Sequence, residues 1–208
     1  MPTYKEKLGL MHVYTGDGKG KTTTSIGIAL RAVGQNLKTI IIQYMKGGAY
    51  TGELLSIANY IPQLIIEQYG KPCVKEKAQL KLDGFEGTPK VEYYREDVEC
   101  GPCRYCFLAD EEEKRLVLDA FKRTKEVLES GEFNVVILDE INTALQKNLI
   151  PVAEVIKILE SRVKKVEVIL TGRGAPKEII DIADLASEIR PLKHYFDKGI
   201  MARKGIEY

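Results

Sequence analysis

The chain predicts an α/β fold: a mostly parallel sheet with helices on both faces. Three observations carry that expectation. Short runs rich in Ile and Val alternate with segments of helical period along the 208 residues. Most of those runs are apolar throughout rather than alternating, as strands covered on both faces are. The first of them leads directly into a glycine-rich turn that opens onto a helical pattern.

Taken in order, the predicted strands are Gly9–Tyr14, Thr39–Gln43, Gln63–Gln68, Asn134–Leu138, Val166–Leu170 and Ala186–Ile189. The predicted helices are Thr22–Val33, Glu53–Ala58, Glu111–Ser130, Val152–Val163 and Lys177–Ala183. Asp110 stands where the long helix needs an N-cap, and Pro151 and Pro176 suit first-turn positions. The triple acid Glu111-Glu112-Glu113 reads as a solvated first turn favoured by the helix dipole, without functional weight. From residue 70 to residue 106 the pattern breaks, with Pro72, Pro89, Pro102 and all four cysteines in that stretch. The expectation is one α/β domain over residues 1–208 with a cysteine-rich insertion at 70–106 that has no strong helix or strand period.

Lys and Arg number 31 against 30 Asp and Glu, a net charge of +1, so no general attraction to nucleic acid or anionic membrane is expected. Apolar runs such as Thr39–Ile42 and Val135–Leu138 are too short to span a bilayer. Met1–Lys7 lacks the apolar core of a signal peptide. The expected compartment is the cytoplasm, where thiols stay reduced.

The run Thr15-Gly16-Asp17-Gly18-Lys19-Gly20-Lys21-Thr22-Thr23 joins the first strand to the first helix. Glycines there let successive backbone N–H groups point at one anion, and the helix N-terminus adds positive potential. Lys21 would reach the phosphates and Thr22 would offer its hydroxyl to Mg²⁺. The usual pattern has glycine where Thr15 stands, so this is a variant phosphate loop. Val135-Val136-Ile137-Leu138-Asp139-Glu140 is a buried strand ending in two carboxylates. Asp139 or Glu140 can hold Mg²⁺, or serve as base for a hydrolytic water. A further strand-to-helix joint, Leu170-Thr171-Gly172-Arg173-Gly174-Ala175-Pro176, falls at the same sheet edge, where ligands of open α/β sheets bind. Arg173 is there either a phosphate or substrate contact or a plain loop arginine. With these motifs the predicted fold is a P-loop NTPase of RecA-like type.

Cys100, Cys103 and Cys106 are spaced as C-x2-C-x2-C, with Cys73 upstream. Their thiolates can converge on tetrahedral Zn²⁺ or on a [4Fe–4S] cluster, the latter implying electron delivery. Four free thiols or an adventitious disulfide are the alternative.

These segments resemble the P-loop class of ATP:corrinoid adenosyltransferases, which act on cob(I)alamin or its precursor cob(I)yrinic acid a,c-diamide. The resemblance rests on Tyr14–Thr23, Arg31-Ala32-Val33-Gly34, Val136–Glu140, Leu170–Gly174 and the tail Ile189–Gly199 with Ala202–Tyr208, the tail being the most specific. It implies transfer of the 5′-deoxyadenosyl group of ATP to Co(I) of a corrinoid, with triphosphate as leaving group. It implies a triphosphate cradle from Thr15 to Thr23, Lys21 balancing its charge, Mg²⁺ on Thr22 and Glu140, and Arg31 and Arg173 near the nucleotide. It further implies aromatic side chains below the corrin, where this chain, which has no tryptophan, offers Tyr105 and Phe107. A homodimer and an electron-donor protein are the partners it suggests. A P-loop ATPase or nucleotide switch carrying a metal-binding partner module is the competing reading, and nucleic-acid binding through a zinc module a third.

Overall fold

A computed structural model describes residues 7–81, 90–95 and 105–208. Its strands are β1 (Met11–Thr15), β2 (Thr39–Tyr44), β3 (Leu64–Tyr69), β4 (Glu76–Lys81), β5 (Lys90–Arg95), β6 (Val135–Asp139), β7 (Glu167–Thr171) and β8 (Leu185–Glu188). The helices are α1 (Lys21–Gly34), α2 (Gly52–Tyr60), α3 (Glu111–Ser130), α4 (Ile141–Gln146), α5 (Val152–Ser161) and α6 (Lys177–Asp181). Six strands form one sheet in the order β3-β2-β6-β7-β1-β8, and every pairing in it is parallel. The loop-bearing strand β1 is thus separated from the acid-bearing strand β6 by β7, the RecA-like arrangement expected from the sequence.

Both faces of the sheet are covered, which is why its central strands read as unbroken apolar runs. One face packs Ile41, Ile137 and Ile169 against Ala29 and Ala32 of α1 and Ile57 of α2. The small alanines let α1 lie close to the strands. The other face packs Val136, Leu138, Val168 and Leu170 against Val117, Ala120, Val127 and Leu128 of α3 and Val155 and Leu159 of α5. All six residues of β2 are buried, including the polar Gln43. The register sets Gln43 beside Asp139, whose carboxylate accepts its amide at 3.0 Å.

Each strand expected in the sheet is present within a residue or two. Asp110 caps α3, its side chain accepting from Glu113 N at 3.0 Å, and Gly131 ends that helix in the left-handed region at φ 63°. Pro151 and Pro176 occupy the N-cap positions of α5 and α6, one residue earlier than expected. Among the described residues no helix is long and apolar enough to cross a membrane.

Three features depart from the expectation. The stretch expected to lack strand character holds β4 and β5, an antiparallel pair with Glu76 opposite Arg95 and Lys81 opposite Lys90. The short helix α4, buried at Ile141, Asn142, Ala144 and Leu145, follows β6 directly. Glu113, read as part of a solvated first turn, is fully buried. The reason is its direction: Glu111 and Glu112 face water, while Glu113 sits on the α3 face that carries Val117 and Ala120. Both its carboxylate oxygens lack a hydrogen bond among the described residues. Burial pushes this carboxyl above its ordinary range against the pull of Lys71.

Candidate functional site

The glycine-rich turn folds as its composition demands. Gly16 has φ 96°, and a Cβ there would lie 2.4 Å from the carbonyl oxygen of Ile189. Gly18 is equally shut in, its N–H donating to that carbonyl at 2.8 Å. The chain just past β8 therefore clamps the loop from outside. Gly20 is the N-cap of α1 with φ 116°, a conformation no L side chain adopts readily. Lys21 is buried, and its Nζ donates to the carbonyls of Gly16 and Gly18, each at 2.7 Å. Burial pulls its pKa below the usual lysine value, opposed by the nearby Glu140. The ammonium is thus already inside the loop, held by groups a phosphate oxygen can replace.

Asp139 is the polar centre beneath the loop. Its Oδ1 accepts from Thr22 Oγ1 at 2.9 Å and from Thr171 Oγ1 at 2.6 Å. Its Oδ2 accepts from Gln43 Nε2 at 3.0 Å and from Lys46 Nζ at 2.7 Å. Burial alone would raise this carboxyl, but the Lys46 ammonium and the hydrogen bonds outweigh it and hold it below the ordinary range. Lys46 answers in kind: burial pulls it down, and Asp139 with Glu53 lifts it above the usual lysine value. Lys46 Nζ also lies 3.3 Å from Thr22 Oγ1 and 3.6 Å from Glu53 Oε1.

Glu140 takes a different position. It caps α4 with φ 65°, its N–H donating to Thr171 Oγ1 at 3.0 Å. Thr143 Oγ1 donates to its carboxylate at 2.5 Å and accepts from Arg173 N at 3.0 Å. Thr143 therefore ties the acid to the arginine loop. A cavity of about 480 Å³ is lined by Gly18–Thr23, Glu140, Arg173, Tyr195, Arg203, Ile206 and Glu207. A neighbouring cleft of about 470 Å³ is lined by Met45, Lys46, Cys106, Thr143, Gln146 and Lys147, and again by Glu140 and Arg173.

Most sequence-predicted residues meet here. Gly18, Lys19, Gly20, Lys21, Thr22, Thr23, Glu140 and Arg173 share the cavity. Thr15, Gly16 and Asp17 line an adjoining one of about 540 Å³, and the Thr15 hydroxyl accepts from Ala175 N at 3.1 Å. Arg31 is not brought here. It lies exposed in the last turn of α1, and the helical rise carries it about 15 Å from Lys21. Tyr105 is tied to the start of α3. Its hydroxyl donates to Glu112 at 3.1 Å, and Lys71 Nζ lies 4.7 Å from its ring centroid. Lys71 itself donates to Asp110 at 2.8 Å and to the Leu108 carbonyl at 3.0 Å, pinning the start of α3. Cys106 lines the cleft. Phe107 lies in a 3-10 turn spanning Tyr105–Phe107. Cys100 and Cys103 fall outside the described residues, while Cys73 and Cys106 are half-buried. No group of three or more potential metal ligands gathers among the described residues.

Sequence reasoning missed Lys46, Thr143, Tyr195, Arg203 and Glu207. Lys46 carried one usable signal: it follows β2 at the carboxyl edge of the sheet, where ligands of such sheets bind.

The sequence profile described as ATP:corrinoid adenosyltransferase BtuR/CobO/CobP matches residues 7–97 and 91–208. The match runs through the cysteine-bearing stretch. The corrinoid adenosyltransferase of Escherichia coli K12 is 30% identical over 98% of this chain and 88% of its own length. The corrinoid adenosyltransferase CobA of Salmonella typhimurium is 32% identical over the same shares, 98% and 88%. A corrinoid adenosyltransferase of a Sinorhizobium species is 32% identical over 100% of this chain and 84% of its own length. The chain belongs to the ATP:corrinoid adenosyltransferase family, whose reaction moves the adenosyl group of ATP to a reduced corrinoid.

Proposed function

We propose that the cavity over Gly18–Thr23 takes the triphosphate of ATP and that the adjoining cleft admits the corrinoid. The observation that supports this reading is the sharing of Glu140 and Arg173 by the two cavities. Two ligands filling them would meet at those side chains. The nucleophile belongs to the corrinoid substrate. The electron pair of Co(I) forms the cobalt–carbon bond to C5′, the C5′–O bond breaks, and its pair leaves on the triphosphate. The protein's task is to align C5′ with cobalt and to neutralise the leaving group. Lys21 exchanges its bonds to the Gly16 and Gly18 carbonyls for phosphate oxygens, and Arg173 holds the edge common to both ligands.

The donor set fits Mg²⁺. Thr22 and Glu140 are hard oxygen donors beside the loop, and a cationic group, the Lys46 ammonium, already rests against the Asp139 carboxylate and Thr22 hydroxyl. Thr22 and Glu140 would hold the ion, with Asp139 orienting the Thr22 hydroxyl. When bound it supplies charge neutralisation of the triphosphate. A homodimer, an electron-donor protein and a metal centre on Cys73, Cys100, Cys103 and Cys106 complete the proposal. The last is tested by iron and zinc analysis of anaerobically purified protein. Cys103→Ser is expected to lose the metal, and full retention contradicts the assignment.

The reading as a whole is tested by supplying ATP and chemically reduced cobalamin. Adenosylcobalamin and inorganic triphosphate are the expected products.

A further inference from the structure

The cavity beside the glycine-rich loop is also lined by residues of the chain's tail, and one of them carries a carboxylate. Tyr195, Arg203, Ile206 and Glu207 line it together with Gly18–Thr23. An acid facing an anion cradle calls for a reason, since a triphosphate would meet like charge there. The reason lies in what Glu207 holds. Its carboxylate accepts from Arg203 N at 2.6 Å and from Arg203 Nη2 at 3.2 Å, and the Tyr195 hydroxyl donates to it as well. The Glu207 side chain is 6% exposed, that of Arg203 52%. The guanidinium lies 5.0 Å from the Tyr195 ring centroid, and Lys19 Nζ lies 5.5 Å from the same ring. Tyr208 fixes the far end, packing edge-on to Tyr50 at 5.5 Å.

The buried partner is therefore the acid and the exposed one the arginine. A guanidinium forks as well onto phosphate as onto carboxylate, and a triphosphate offers more charge. We propose that Arg203 is a triphosphate-binding residue supplied by the C-terminal tail, and that Glu207 competes with the phosphate chain for its guanidinium, setting how readily triphosphate leaves. This rests on the reading that the cavity holds the triphosphate of ATP. The transfer reaction gives the competition a use. Its leaving group departs with all phosphates linked, so the loop must release the ligand it grips best. Glu207 recovers Arg203 as that ligand goes, and its negative charge opposes rebinding.

The test is calorimetric titration of inorganic triphosphate with Mg²⁺ into the full chain and three variants. Arg203→Ala is expected to weaken binding about tenfold, the scale of a charge-assisted pair. Glu207→Gln is expected to tighten it severalfold, and most of that gain should vanish when Arg203→Ala is added. A tail residue with a merely structural role would weaken binding in either variant. Glu207→Gln that binds unchanged or more weakly overturns the proposal. So does undiminished affinity in Arg203→Ala, whose half-exposed site tolerates truncation should Glu207→Gln fail to fold. Lys21→Ala separates the two claims. If the native chain binds triphosphate no better than Lys21→Ala, the phosphate-site reading itself is wrong. If Lys21→Ala loses binding and the tail variants do not change it, only the tail's role is.

Discussion

Lys46 Nζ lies 2.7 Å from Asp139 Oδ2, which places a protein ammonium on the buried carboxylate beneath the glycine-rich loop. The pair is stabilising only while both partners stay, because an uncompensated buried charge is costly. Asp139 is held below its ordinary pKa, so its contribution is present at neutral pH and is lost as pH falls through its folded value. Lys46→Met removes the counter-ion at every pH. The variant is expected to lose about 3 kcal/mol at pH 7 in denaturant titration. Magnesium should then restore more thermal stability to Lys46→Met than to the native chain, because it no longer competes with the ammonium. Equal gains in Tm would contradict that competition.

Lys21 makes a contrasting prediction. Its ammonium is desolvated and held by loop carbonyls, so its removal relieves a burial penalty while it deletes the phosphate contact. Lys21→Ala is expected to weaken ATP binding by about 100-fold, the equivalent of a charge-assisted contact of about 2.7 kcal/mol. Its Tm should stay within a few degrees of the native value. Calorimetric binding and thermal melting together check both halves.

Much of this site was legible in the sequence, and the illegible part has a physical cause. The strands of the sheet are covered on both faces, so Ile40–Ile42 and Val135–Leu138 announce themselves as unbroken apolar runs. The glycine-rich loop is equally plain, because the backbone at residues 16 and 20 takes positive φ angles that favour glycine. Lys46 was not, since its partner lies 93 residues along the chain and only the β2–β6 pairing brings them together. β4 and β5 escaped notice because charged residues interrupt their apolar ones and the two strands pair only with each other. Arg31 shows the opposite case: a motif match says nothing of the distance a helix puts between two of its residues, here the length of α1.

Glu113 was misread for the same kind of reason. An acid in a first helical turn is ordinarily solvated, and the signal that α3 turns this one inward is its helical spacing from Val117 and Ala120 on the buried face. Its raised pKa means that the folded chain keeps the proton longer than the unfolded chain does. Stability therefore falls as pH rises from the ordinary carboxylate range through the folded value. Glu113→Gln is expected to gain about 1 kcal/mol at pH 7, because it removes the buried charge and keeps the side chain's shape. The gain should shrink towards pH 4 and below, where both states are protonated. Chemical denaturation at two pH values checks this, and a gain independent of pH contradicts it.

The central claim is that this chain joins the adenosine carbon of ATP to a corrinoid's cobalt, leaving three phosphates linked. Product analysis after mixing the protein with Mg²⁺, ATP and chemically reduced cobalamin tests it most directly. The expected result is the spectrum of adenosylcobalamin with an equal amount of inorganic triphosphate, both absent when the corrinoid is withheld. Orthophosphate as the sole phosphorus product, released at the same rate with or without corrinoid, would contradict it.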